Sequence, residues 1–232
     1  MTQCSEQTVA RLLPLVSQQR REQALRYQHT FGQFACLQSY LMLCQLLAEW
    51  GRTHSTPFTF NLSPFTFNLS PLTFHLSPYT FPLSPLTFHL TPYTFHLSPL
   101  TFHLSPTFLY NDYGAPYIEG GPYFSISHCK TAIAVAVSEN PIGIDIEGIR
   151  TFKPELMRKT MSPAEQQRIT SSVAPEVEFI RLWTQKEALL KLQGTGIISD
   201  LHHVLDHTLD LSWTEISHLS PDYICTICSM NK

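Results

Sequence analysis

With 232 residues, 43% of them hydrophobic, the chain is long enough to bury one core or two small packed halves, which excludes wholesale disorder. Fifteen basic side chains against 18 acidic ones leave a formal charge of −3, too little field for non-specific nucleic-acid binding. Met1-Thr2-Gln3-Cys4-Ser5-Glu6 has neither a basic n-region nor an apolar h-region, so a cytoplasmic protein is expected. Its six cysteines then read as reduced thiols, not as a disulfide framework.

Residues 7–27 read as a helix whose C-terminal end collects Arg20, Arg21 and Arg26. That placement suits the helix dipole, and three arginines together also suit a polyanion. Residues 33–49 give a second, more apolar helix through Phe34, Leu37, Leu41, Leu43 and Leu47.

Charge then vanishes: no Lys, Arg, Asp or Glu occurs between Arg52 and Asp112. The stretch is a heptapeptide repeat, running STPFTFN, LSPFTFN, LSPLTFH, LSPYTFP, LSPLTFH, LTPYTFH and LSPLTFH from Ser55. A proline in each unit excludes a coiled coil and an unbroken membrane helix. A disordered tract is the first reading, a stacked β-coil the second and a dedicated binding arm the third. Its histidines (His75, His89, His96, His103) take their spacing from the repeat and argue little for metal. Residues 55–106 are therefore read as an insertion between a helical N-terminal part (1–54) and the remainder (107–232).

Strand signals follow at Tyr123–Ser127, Ala132–Val137 and Ile142–Ile146, the last two joined by Ser138-Glu139-Asn140-Pro141, which reads as a hairpin turn. Ser162-Pro163-Ala164-Glu165 carries an N-cap, a first-turn proline and a capping-box acid. A long helix is expected over 175–193, stopping at Gly194, and a last strand over Tyr223–Ser229. The class is α+β.

Asp145 and Glu147, two apart on a strand, project from one face. Two like charges there call for a cation between them, and oxygen-only ligands suggest Mg²⁺; the bland alternative is an edge strand with a solvated acidic face. On the long helix Glu187 and Lys191 are i and i+4 and share a face with Trp183, which also describes an ordinary surface ion pair. Ser127-His128 closes the strand FSISH, where a histidine is more often a structural hydrogen-bonder. Cys225-Thr226-Ile227-Cys228 is one CxxC with no second pair, weak evidence for zinc or redox chemistry.

FSISH, GIDIE and WTQKEALLK, in that order, together resemble the 4′-phosphopantetheinyl transferase superfamily, in particular its larger surfactin-synthetase-type members. The resemblance covers residues 122–198, with Gly194-Thr195-Gly196-Ile197 similar to the family's Gly-x-Gly segment, and extends loosely over 15–50. It implies two similar small α+β halves in one chain, a pseudo-dimeric fold interrupted here by the repeat, and a monomer. It implies transfer of the 4′-phosphopantetheine arm of coenzyme A to a serine of an apo acyl or peptidyl carrier protein, with release of adenosine 3′,5′-bisphosphate. By the same resemblance Asp145, Glu147 and Glu187 match the acidic positions that hold Mg²⁺ (or Mn²⁺), and Lys191 and Lys186 match lysines near the phosphates. Ser127 and His128 match a CoA-phosphate pair, and Arg21 and Arg26 resemble the cluster receiving the 3′-phosphate. No nucleic-acid or membrane partner is implied. One departure stands out: family members often carry Gly-Lys-Pro where this chain has Gly114-Ala115-Pro116. That change and the insertion leave open a catalytically impaired relative that binds CoA or carrier protein without turnover.

Overall fold

The computed structural model describes residues 6–53, 61–64, 87–90, 102–106, 108–196, 200–206, 208–216 and 222–230. Most of the repeat, and with it the expectation of a disordered tract, lies outside the described residues.

The first expected helix is broken in two. α1 (Glu6–Leu12) passes into a 3₁₀ turn over Leu13–Leu15, and α2 (Gln18–Leu25) starts afresh. Pro14 lies in that turn, and Ser17 caps α2 by accepting from the Arg20 backbone N–H, so proline ends one helix and a serine oxygen opens the next. α3 (Thr30–Thr53) runs longer than expected. Its stretch 30–51 is long and apolar enough to cross a membrane. Its Leu37, Leu43 and Leu47 are instead buried in a core shared with Ile133, Val135 and Val137.

Three short strands fall in the repeat: β1 (Asn61–Pro64), β2 (Thr87–Leu90) and β3 (Phe102–Ser105), with β1 antiparallel to β3. β4 (Leu109–Tyr110) and β5 (Pro116–Tyr117) form a small ribbon. β6 (Tyr123–His128) and β7 (Ile133–Ser138) pair antiparallel, and β2 covers the other edge of β7. β8 (Ile142–Gly148) belongs to a second antiparallel sheet of order β8-β10-β9, with β9 spanning Leu211–Ile216 and β10 Tyr223–Met230. Between β8 and β9 come α4 (Pro154–Thr160), α5 (Pro163–Thr170) and α6 (Pro175–Gln193). The α5 capping box forms as expected, and α6 ends at Gly194 with φ 68°. The mixed α+β class holds.

The turn at Ser138–Pro141 does not make a hairpin. Both edges of β7 are taken by β6 and β2, while β8 pairs with β10, so the turn hands the chain from one sheet to the other. The two sheets meet along β6 and β8 through side chains. Ile144 N–H donates to Ser125 Oγ at 3.0 Å and Ile146 N–H to Ser127 Oγ at 3.3 Å. Each sheet also carries one long helix, α3 against β7 and α6 against β8 and β10.

Candidate active site

Gly143 sets the distance between strand and helix. A Cβ there would fall 1.8 Å from the Ala188 carbonyl oxygen, so only glycine lets the α6 backbone rest directly on β8. Ala188 is wholly buried at that contact. Thr184 Oγ1 and Thr226 Oγ1, 2.7 Å apart, pin the same helix to β10. Glu187 and Lys191 are thereby held over β8.

Asp145 is the centre of the arrangement and is 4% exposed. Its Oδ1 accepts from Ser127 Oγ at 2.7 Å and from Lys191 Nζ at 2.7 Å. Its Oδ2 is buried without a hydrogen-bond partner, an arrangement that costs free energy unless a cation or donor meets it. Glu147, one pleat further out, pairs with the exposed Arg150 at 2.7 Å, a contact of small worth that can rearrange. Burial, followed by the charges of Asp145 and Glu147, pushes the Glu187 carboxyl above the ordinary carboxylate range, while Lys191 opposes them. Burial and then Lys191 hold His128 below the usual imidazole value, so its ring is neutral at pH 7. Phe31, at the start of α3, meets that ring edge-on at 6.0 Å.

The structure thus brings Asp145, Glu147, Glu187, Lys191, Ser127 and His128 into one electrostatic cluster. Among the described residues no three His, Cys, Asp or Glu side chains close into a metal shell. The ammonium of Lys191 sits on Asp145, and Arg150 draws on Glu147. The donor set nonetheless fits a hard cation: all oxygen, mutually repelling, with one buried carboxylate oxygen bare.

Three expected site residues lie elsewhere. Lys186 is 1% exposed, and its Nζ donates to Glu165 Oε2 at 2.8 Å and to the Leu201 carbonyl at 2.6 Å. One residue is about 100° of helix, so with Glu187 facing β8 its neighbour Lys186 turns away from the cluster. Arg21 is spent on its own broken helix, donating to the carbonyls of Val16 at 3.0 Å and Pro14 at 3.3 Å. Arg26 is exposed at the C-cap of α2. Arg20, by contrast, lies 4.4 Å over the Tyr40 ring. The serine of the Ser127-His128 pair also points inward, toward Asp145 and β8, rather than out to solvent.

Sequence reasoning passed over Gly143, Ser125 and the Thr184–Thr226 pair. A glycine on a strand face opposite an alanine in a helix was the available signal for the first. Cys225 and Cys228 belong to different hydrophobic clusters, and burial pushes the Cys228 thiol up to about 12 and the Cys225 thiol higher. Among the described residues, Cys36, Cys44, Cys129, Cys225 and Cys228 form no disulfide.

The ribbon β4–β5 reaches the far end of α6. Asn111 Oδ1 accepts from the N–H groups of Tyr113 and Ala115, and its Nδ2 donates to the Gly194 carbonyl at 2.9 Å. Gly114-Ala115-Pro116 is therefore anchored just past the turn that bears Lys191.

Comparison with known proteins bears on the same segment. Residues 141–228 match the family described as "4'-phosphopantetheinyl transferase superfamily". The chain is 34% identical over 95 residues to a 4′-phosphopantetheinyl transferase of Bacillus subtilis, covering 39% of this chain and 42% of that one. It is 36% identical over 88 residues to 4′-phosphopantetheinyl transferase psf-1 of Bacillus pumilus, covering 36% and 38%. It is 38% identical over 72 residues to enterobactin synthase component D of Escherichia coli, covering 30% and 35%. The aligned stretch spans about two fifths of the length of the Bacillus relatives. It contains β8 and α6, which carry Asp145, Glu147, Glu187 and Lys191, so the similarity to the 4′-phosphopantetheinyl transferase superfamily falls on the segment that supplies the carboxylates and Lys191 of the cluster.

Proposed function

We propose that the chain transfers the 4′-phosphopantetheine arm of coenzyme A to a serine hydroxyl of an apo acyl or peptidyl carrier protein, in a Mg²⁺-dependent reaction that releases adenosine 3′,5′-bisphosphate. The observation that carries this reading is Asp145: buried, doubly bonded on Oδ1, bare on Oδ2, and flanked by Glu147 and Glu187. These three carboxylates would hold Mg²⁺. When bound, the ion supplies Lewis-acid neutralisation of charge on the pyrophosphate.

The chain's own residues do the remainder. Glu187 would take the proton that leaves the carrier serine. The serine oxygen forms the new bond to the β-phosphorus of CoA, and the bond to the α-phosphate oxygen breaks. Lys191, half-exposed beside Asp145, neutralises the phosphate that leaves. Neutral His128 offers a donor to a phosphate oxygen without adding charge. The two sheets, each with a long helix, suit the two-half architecture, and the protein is read as a cytoplasmic monomer.

The alternative of a relative that binds without turnover rests on Ala115, which removes one cation from the anchored segment at the end of α6. Intact-mass spectrometry of an apo acyl carrier protein incubated with the chain, CoA and Mg²⁺ separates the two. The expected result is a gain of one phosphopantetheine arm that EDTA abolishes. CoA binding without any mass gain, tried over several carriers, would move the assignment to the non-turnover relative.

A further inference from the structure

Ser125 and Ser127 stand two apart on β6, and both hydroxyls accept a backbone N–H of β8, from Ile144 and Ile146. They are equivalent as seam bonds, yet they differ in what else they do. The hydroxyl proton of Ser127 goes to Asp145 Oδ1 at 2.7 Å. Lys191 Nζ reaches the same oxygen at 2.7 Å. Two donors on one oxygen fix the carboxylate plane and leave the other oxygen, Oδ2, buried and without a partner.

We propose that Ser127 is a positioning residue for the metal site: by holding Oδ1 from the far side of the seam it dedicates Oδ2 of Asp145 to the divalent cation, and it makes no direct contact with the CoA phosphates. The proposal rests on the transferase reading above and deepens it. A hydroxyl has one proton to give, and here that proton is spent on a buried carboxylate. Ser127 itself is 7% exposed, so a phosphate would have to displace Asp145 to reach it. Hydrogen bonds from behind a ligand set its direction, and their loss typically lowers metal affinity about 10- to 100-fold.

The test uses the full chain with Mn²⁺ as the probe, followed by electron paramagnetic resonance at saturating CoA, and separately measures CoA affinity in EDTA. Ser127→Ala is expected to weaken Mn²⁺ binding by about tenfold or more while leaving metal-free CoA affinity unchanged. Ser125→Ala removes the matching seam bond and is expected to lower the Tm similarly with wild-type Mn²⁺ affinity. Ser127→Cys, similar in size but a weak donor, is expected to fall between, and it serves if the alanine variant does not fold. Wild-type Mn²⁺ affinity in Ser127→Ala or Ser127→Cys, or a loss of metal-free CoA affinity in either, overturns the proposal while the transferase reading stands. Absence of Mn²⁺ binding in the wild-type chain with CoA overturns the reading on which the proposal rests.

Discussion

The two long helices lie on their sheets in different ways. α3 meets β7 through leucine, phenylalanine and valine side chains, a layer of ordinary thickness that any well-packed apolar set can fill. α6 meets β8 backbone to backbone at Gly143 and Ala188, and polar residues surround that contact: Thr184 toward β10, Lys186 toward α5, Glu187 and Lys191 toward the acid pair. The first helix is a wall and the second is an instrument mount. Apolar packing tolerates sliding, because many side-chain arrangements have similar energies. A glycine contact flanked by paired polar groups tolerates almost none.

The sharpest break in the comparison is an alanine on each side. Asp145→Ala is expected to abolish transfer, a loss of about a thousandfold or more, with the fold retained. Leu43→Ala in α3 should cost about 2–5 kcal/mol of stability, while the folded fraction keeps its turnover. Carrier-protein mass shift and thermal denaturation, measured on both variants, decide it; wild-type turnover in Asp145→Ala would remove the site. Gly143→Ala comes next, since one methyl must push α6 off β8. Overpacking of that kind costs about 1–3 kcal/mol, and it should lower kcat as well as Tm because Glu187 and Lys191 travel with the helix. A variant with lowered Tm but unchanged kcat would show that the close approach is packing alone.

A smaller effect follows from Glu187. Its folded-state pKa is raised, so between the ordinary carboxylate value and the raised one the folded chain binds more protons than the unfolded chain. Metal-free stability therefore falls as pH rises through that window. Glu187→Gln removes this dependence, so in EDTA the variant should gain on the wild type in Tm between pH 4 and pH 7 while losing transfer. Parallel Tm curves for the two proteins would contradict the shift. The smallest expected change is Ala115→Lys, which puts a cation beside the anchored end of α6 and should tighten CoA binding by about threefold to tenfold, on the order of 1 kcal/mol. Isothermal titration with CoA reads it directly.

What could be read from the sequence depended on range. Strand alternation put Asp145 and Glu147 together, and helical i, i+4 spacing put Glu187 and Lys191 together, because both rules act within one element. The capping box at Ser162 and the stop at Gly194 were equally local. Contacts between elements were not legible. Ser138–Pro141 has hairpin chemistry, yet which strand β8 joins is decided by β10, far along the chain. Nothing local to Ser127 says that its hydroxyl crosses to another sheet. Lys186 is instructive: with Glu187 and Lys191 on one face, the residue beside Glu187 leaves that face. The burial partner that claims it, Glu165, belongs to the cap of another helix.

The seam between the sheets has a consequence for how the molecule opens. Amides inside a strand ladder are released only when a whole strand separates, but those of Ile144 and Ile146 are held by single serine hydroxyls. Rotation of two side chains is enough to free them. In a hydrogen-exchange experiment these amides should lose protection earlier than their neighbours bonded to β10. The line along which the two sheets are expected to part then runs beside Asp145, the carboxylate proposed to hold the metal.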